Sequence, residues 1–193
     1  VLTPSYVNEL EKDVVPTNQT IGGYGCTCIT SATSPGVIFK GASLISVRFG
    51  KGITEIGSDS FEGSSIKSVV FDGDITTLPA GAFSGFTGVT VYFAGDISCN
   101  INGFADSSLK YINLVGKSCT GITASAFTNS TIERAYIPSG ITSIGAEAFA
   151  NCGSLNYLYF DGYISDWYNI TKGTDWHLNT QLSSVRCKDG DCY

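Results

Sequence analysis

The sequence predicts a strand-rich repeat solenoid, and three observations predict it. A short pattern of apolar residues with alternating spacing recurs about every 22 residues along most of the chain. A second set of apolar slots recurs in step with it. The 193 residues include 23 glycines and are only 15% charged, as suits a chain that turns many corners around one continuous core.

Taken from the N-terminus, residues 1–36 read as a cap. Pro4 at the start, the early carboxylate Glu9, and Val7, Leu10 and Val14 at helical spacing predict a short amphipathic helix over 4–15. The end coils of a solenoid expose their core, so a terminal element is expected to cover it.

Residues 37–162 read as about five to six repeats. Leu44-x-x-Val47-x-Phe49 returns as Ile66-x-x-Val69-x-Phe71, Leu109-x-x-Ile112-x-Leu114, Ile132-x-x-Ala135-x-Ile137 and Leu155-x-x-Leu158-x-Phe160. A weaker copy, Val91-x-Phe93, lies between the second and third. This alternation is that of a strand, and strands from successive units would pair in a parallel sheet. Ile75, Ile97, Cys119 and Ile141 follow Ile53 at one period each. Ile56, Leu78, Ile101, Ile122 and Ile144 form the next slot, and Phe39, Phe61, Phe83, Phe104, Phe127 and Phe149 another. No single unit can bury these residues, whereas stacked units bury them as ladders. The segment Ile141-Thr142-Ser143-Ile144-Gly145 reads as a second short extended piece ending in a turn, and the Ala-Phe stretch allows one helical turn at most.

Residues 163–193, with Trp167 and Trp176, read as a C-terminal cap. Cys187 and Cys192 bracket the turn Lys188-Asp189-Gly190-Asp191, a loop that a disulfide would close. Cys26-Thr27-Cys28 is too tight to bridge to itself.

The run Ile141-Thr142-Ser143-Ile144-Gly145-Ala146-Glu147-Ala148-Phe149-Ala150-Asn151-Cys152-Gly153-Ser154-Leu155, with the pair Ile137-Pro138, resembles the unit of the BspA-type leucine-rich repeats. The resemblance spans approximately residues 37 to 165. It departs from the family pattern at Leu78-Pro79, where Ile-Gly is usual. It implies a leucine-rich-repeat solenoid of the α/β horseshoe class, with the parallel sheet on the concave face and short strands and turns on the convex face. It also implies a secreted or surface-attached protein of bacteria or parasitic protists that binds host proteins, matrix or other cells.

Composition narrows the partners. The formal net charge is −6, and the 11 Lys and Arg are scattered, which argues against nucleic acid and against an anionic membrane surface. No apolar run approaches the roughly 20 residues of a membrane helix, so no membrane insertion is expected within this chain. With no Met, the chain reads as processed or trimmed. Seven cysteines and the sequons at Asn18, Asn129 and Asn169 favour an extracellular location.

No catalytic constellation stands out, so the protein is expected to be neither an enzyme nor a cofactor or metal binder. The single histidine, His177, sits in the Trp-containing terminal segment without a nucleophile elbow. Asp72-Gly73-Asp74, Gly95-Asp96 and Asp161-Gly162 follow successive strands; an acidic row for calcium is conceivable, but Asp and Gly are also ordinary turn-makers. Cys119 and Cys152 occupy core slots, while Cys99 is expected to point away from the core.

Binding is expected on the exposed face of the strands. Residues between the apolar slots point outward. One outward column reads Arg48, Val70, Tyr92, Asn113, Tyr136, Tyr159, and the other Ser46, Ser68, Thr90, Tyr111, Arg134, Tyr157. Tyr and Arg concentrate binding energy at interfaces. Tyr92, Tyr111, Arg134, Tyr136, Tyr157 and Tyr159 are therefore the predicted site for an extracellular or host protein. Stacking of sugars on the same rings gives the alternative, a carbohydrate-binding module, with a glycan as ligand.

Overall fold

The computed structural model describes residues 54–192 together with Cys28–Ile29, Phe39, Ser46–Phe49 and Lys51. The expected helix at 4–15 and Cys26 lie outside the described residues. Strands β1 (Cys28–Ile29), β2 (Ser46–Phe49), β3 (Glu55–Ile56), β4 (Ser68–Phe71), β5 (Thr90–Phe93), β6 (Tyr111–Asn113) and β7 (Gly121–Ile122) come first. They are followed by β8 (Arg134–Ile137), β9 (Ser143–Ile144), β10 (Tyr157–Phe160), helix α1 (Ile164–Asn169), β11 (Thr171–Lys172), β12 (Val185–Cys187) and β13 (Gly190–Cys192).

The repeating pattern becomes one long sheet of eight strands, ordered β2-β4-β5-β6-β8-β10-β12-β13. Each coil adds one parallel strand in unshifted register, as in Ser68↔Thr90 and Phe71↔Phe93 and in Tyr157↔Arg134 and Phe160↔Ile137. The final strand reverses: β13 runs antiparallel to β12. The short second pieces of the coils pair separately, as β7-β9-β11 and β1-β3. Single bridges, Ile75↔Ile97 and Ile101↔Ile122, carry the same ladder through the coils that form no named strand there. The result is a strand-rich leucine-rich-repeat-type solenoid of stacked coils with almost no helix, as the sequence predicts.

The core is built from ladders. All eleven phenylalanines of the chain are buried. Phe61 and Phe83 stack with centroids 4.7 Å apart and planes 3° from parallel, and Phe127 and Phe149 stack at 4.9 Å and 1°. These separations match the spacing of hydrogen-bonded strands, about 4.7–4.9 Å. Identical residues in identical slots therefore meet face to face because the coils themselves are strand-spaced. The ladder ends edge-on against Trp176, 6.3 Å from Phe149.

The Ala-Phe stretch forms two corners in place of the single helical turn expected. Asp59, Gly81, Ser125 and Glu147, each two residues before a ladder phenylalanine, have left-handed φ, as do Gly63, Gly85, Asp106, Asn129 and Asn151, each two residues after one. Between the corners the main chain bonds to the next coil, as in Phe61 N–H to Ala82 O at 2.8 Å and Phe127 N–H to Ala148 O at 2.8 Å. An α-helix would spend those N–H groups within its own coil. Close stacking demands a glycine at Gly145, where an added Cβ would overlap the backbone nitrogen of Ala124.

Cys119 and Cys152 are fully buried core residues. Burial pushes the Cys119 thiol up to about 11. Cys99 differs from expectation: it is half-buried and packs against the core.

The expected Cys187–Cys192 disulfide is also corrected. The two residues are free thiols with their sulfurs 3.5 Å apart, against about 2.05 Å for a bond. Hairpin register explains this. Cys187 pairs with Gly190 and Cys192 with Val185, so the two cysteines are diagonal neighbours on one face. Diagonal positions stand farther apart than the roughly 3.8 Å between Cβ atoms that a disulfide needs. Both are buried, and burial raises the Cys187 thiol well above its ordinary value.

Candidate functional site

Strand alternation decides what the long sheet offers outward. In β8 the burial pattern places Ala135 and Ile137 in the core, with Arg134 exposed and Tyr136 half-buried on the outer face. β10 repeats it, with Leu158 and Phe160 inside and Tyr157 and Tyr159 outside. Parallel register then brings the outward residues of different coils side by side. Tyr111 pairs with Arg134 and Arg134 with Tyr157, so the guanidinium is flanked by a tyrosine on each side. Asn113, Tyr136 and Tyr159 line up likewise in the second column.

The six predicted residues divide into two groups. Tyr136 lies at the centre of one, its ring 5.8 Å from that of Tyr157 and 6.2 Å from that of Tyr159. Arg134 and Tyr111 adjoin this trio in the other column. Tyr92 stands two strands before Tyr136 in its column, separated from it by Asn113. Exposure cuts across this grouping: Tyr92 is 54%, Tyr111 47% and Tyr157 37% exposed, while Tyr136 and Tyr159 are half-buried.

Electrostatics separates Arg134 from the other arginines of the face. Arg48 is held by a two-pronged contact to Asp72, Nε at 2.8 Å and a terminal nitrogen at 2.9 Å. Arg186 bonds Asp191 at 2.6 Å. Lys110, next to the patch, pairs with Glu133 at 3.1 Å, and the Tyr111 hydroxyl donates to the same carboxylate at 3.5 Å. Among the described residues no carboxylate pairs with Arg134. Tyr159 donates to Asp161, which also pairs with Lys188. Partial burial and the Asp161 charge keep the Tyr159 phenol above its ordinary value, hence neutral and able to donate.

The acidic row takes the turn-making role. Asp74 accepts the Asp96 N–H at 2.8 Å, and Asp96 accepts the N–H groups of Ile97 and Ser118, each at 2.8 Å. A hydrogen bond from the Ser118 side chain, with the smaller help of these backbone bonds, holds the Asp96 carboxyl below its usual range. Asp72 and Asp161 are occupied by Arg48 and Lys188. His177 is exposed, with its ring 4.2 Å from that of Trp176.

Arg186 is the outward residue the sequence reading missed. It continues the Tyr136–Tyr159 column, because β12 pairs with β10 through Tyr159↔Arg186. The signal was present: Leu182-x-x-Val185-x-Cys187 repeats the strand pattern once more, with cysteine in the last slot.

The family model described as a BspA-type leucine-rich repeat region matches the chain in six copies, over residues 35–114 and 94–171. Among solved structures, the chain is similar to a leucine-rich cell surface protein from Faecalibacterium prausnitzii A2-165, with a TM-score of 0.52 and 23% identity. That match covers 81% of this chain and 35% of the other, so the chain spans about a third of that protein's length. No curated protein matches the chain. No helix among the described residues is long and apolar enough to cross a membrane.

Proposed function

Because the chain belongs to the BspA-type leucine-rich repeat family, we propose that it is a non-catalytic, secreted or cell-surface adhesion module that binds an extracellular or host protein through the Tyr/Arg face. The observation that carries this reading is Arg134, exposed, flanked in register by Tyr111 and Tyr157, and paired with no carboxylate among the described residues. Every other outward arginine described is already neutralised within the chain. A free guanidinium among tyrosine rings supplies the two side chains that most often dominate interface energy. It favours a partner that brings a carboxylate to Arg134 and an apolar surface to Tyr136.

The module reading extends to the ends of the chain: residues 1–36 are proposed to cap the repeats, and residues 163–193 add a further coil through β11 and β12 before the antiparallel β13 closes that end. The surface location draws on the family and on the printed description of the similar structure, a cell surface protein.

A survey of the soluble chain against extracellular-matrix proteins and a glycan array tests the proposal, with Arg134→Ala and Tyr136→Ala beside it. The expected result is a protein hit that each variant weakens by about 2 kcal/mol, roughly thirtyfold, at unchanged thermal stability. Binding retained by both variants removes the face as the site. A glycan hit without a protein hit replaces the partner class.

A further inference from the structure

A pocket lies at the C-terminal end of the core, formed by residues outside the tyrosine face. Helix α1 turns Trp167 inward until it is 2% exposed. The coil that follows brings Trp176 against it, with ring centroids 5.8 Å apart at 67°. Leu182 and Val185 from the approach to β12 supply the facing wall, and the space between is a pocket of about 310 Å³. That is the lower end of the range for small-ligand sites, roughly 300–1,000 Å³.

One cation enters this open pocket, whose walls are mostly apolar but include Tyr168, His177, Ser183 and Ser184. Lys172, from the edge strand β11, sits with its Nζ 4.5 Å from the centre of the Trp167 ring. It donates to Trp167 O at 2.6 Å and to Ile170 O at 3.2 Å. An ammonium has three donors, so one remains for a ligand. Among the described residues no carboxylate pairs with Lys172. Carbonyls and an indole face orient the half-buried charge but bring no negative charge to balance it.

We propose that this pocket binds a small organic monocarboxylate, its carboxylate on Lys172 and its apolar body against Trp176 and Leu182. A cationic ligand would meet Lys172 as a like charge. A polyphosphate would bring more negative charge than one lysine can answer. A neutral hydrocarbon would leave the ammonium unpaired. The pocket uses none of the residues of the tyrosine face, so it stands apart from the adhesion reading.

The chain has two tryptophans and both line this pocket, so tryptophan emission, excited selectively over the ten tyrosines, reports on this site. Titration of the full chain with 3-phenylpropionate, and with 3-phenylpropanamide as the neutral isostere, tests the proposal. The expected result is a saturable emission change for the acid with a Kd of about 1 mM or tighter, and a response at least about tenfold weaker for the amide. Burial lowers the pKa of Lys172, so the preference for the acid is expected to fade as pH rises through the lysine's titration. Lys172→Gln should erase the preference, while Tyr136→Ala should leave it intact. Equal responses to acid and amide in the unmodified chain overturn the proposal, as does silence with both. A dimer by sedimentation that closes the pocket overturns it too, because the occupant is then a second copy of the chain.

Discussion

Asn151 shows how a single residue holds neighbouring coils together. Its φ of 58° lies in the left-handed region, which costs a non-glycine residue roughly 1–2 kcal/mol. The side chain offsets that cost. Its Nδ2 donates to Asn129 at 3.1 Å and its oxygen accepts from Asn179 at 2.8 Å, while Asn129 donates in turn to Asp106 at 3.0 Å. Asn151→Ala keeps the strained corner and loses both bonds, so it is expected to destabilise by about 2–3 kcal/mol in denaturant unfolding. Asn151→Gly loses the same bonds but relaxes the corner, and is expected to cost about half as much. Equal losses would show that the backbone strain is not part of the balance. The polar ladder was only half legible in the sequence: Asn129 and Asn151 recur at one period, but Asn179 comes 28 residues later. Cys119 was read correctly because a thiol fits an isoleucine slot without changing its character. Cys99 was misread because, at a corner crossed by a single bridge, strand alternation no longer fixes where a side chain points.

For the elements, legibility follows from how strictly a slot repeats. Strands β2, β4, β5, β6, β8 and β10 of the long sheet and the phenylalanine ladder were predicted position by position, since each slot demands the same size and polarity in every coil. Phe127 stacks on Phe104 at 5.3 Å and on Phe149 at 4.9 Å. Phe127→Ala is expected to cost about 3–5 kcal/mol, because a stacked ladder cannot collapse on one missing rung. A loss below about 1 kcal/mol in calorimetry or denaturant unfolding would mean that the coils slide to refill the gap. The disulfide failed for the opposite reason: spacing of two cysteines across a turn does not set hairpin register, and the register makes them diagonal. Arg186 escaped notice because a cysteine in the last slot of Leu182-x-x-Val185-x-Cys187 hides a strand in what reads as a tail.

Over the whole molecule, stacking converts a repeated sequence into a surface that does not repeat. Core slots are constrained to be alike from coil to coil, but outward positions are free to vary. The face therefore changes from Ser46, Ser68 and Thr90 at one end to Tyr111, Arg134 and Tyr157 at the other. This gradient was readable in the sequence as two columns. The pairing state of each arginine was not, because Arg48 and Asp72 lie 24 residues apart and meet only once the coils stack. The difference between an occupied and a free guanidinium is the basis for proposing the Arg134 end as the binding surface. The most direct measurement is the affinity of the captured protein partner for Arg134→Glu compared with Ser68→Glu, at equal ionic strength. The account predicts at least a hundredfold loss for the first, about 2.7 kcal/mol or more, and less than about a threefold change for the second. Equal losses, or none in Arg134→Glu, would contradict it.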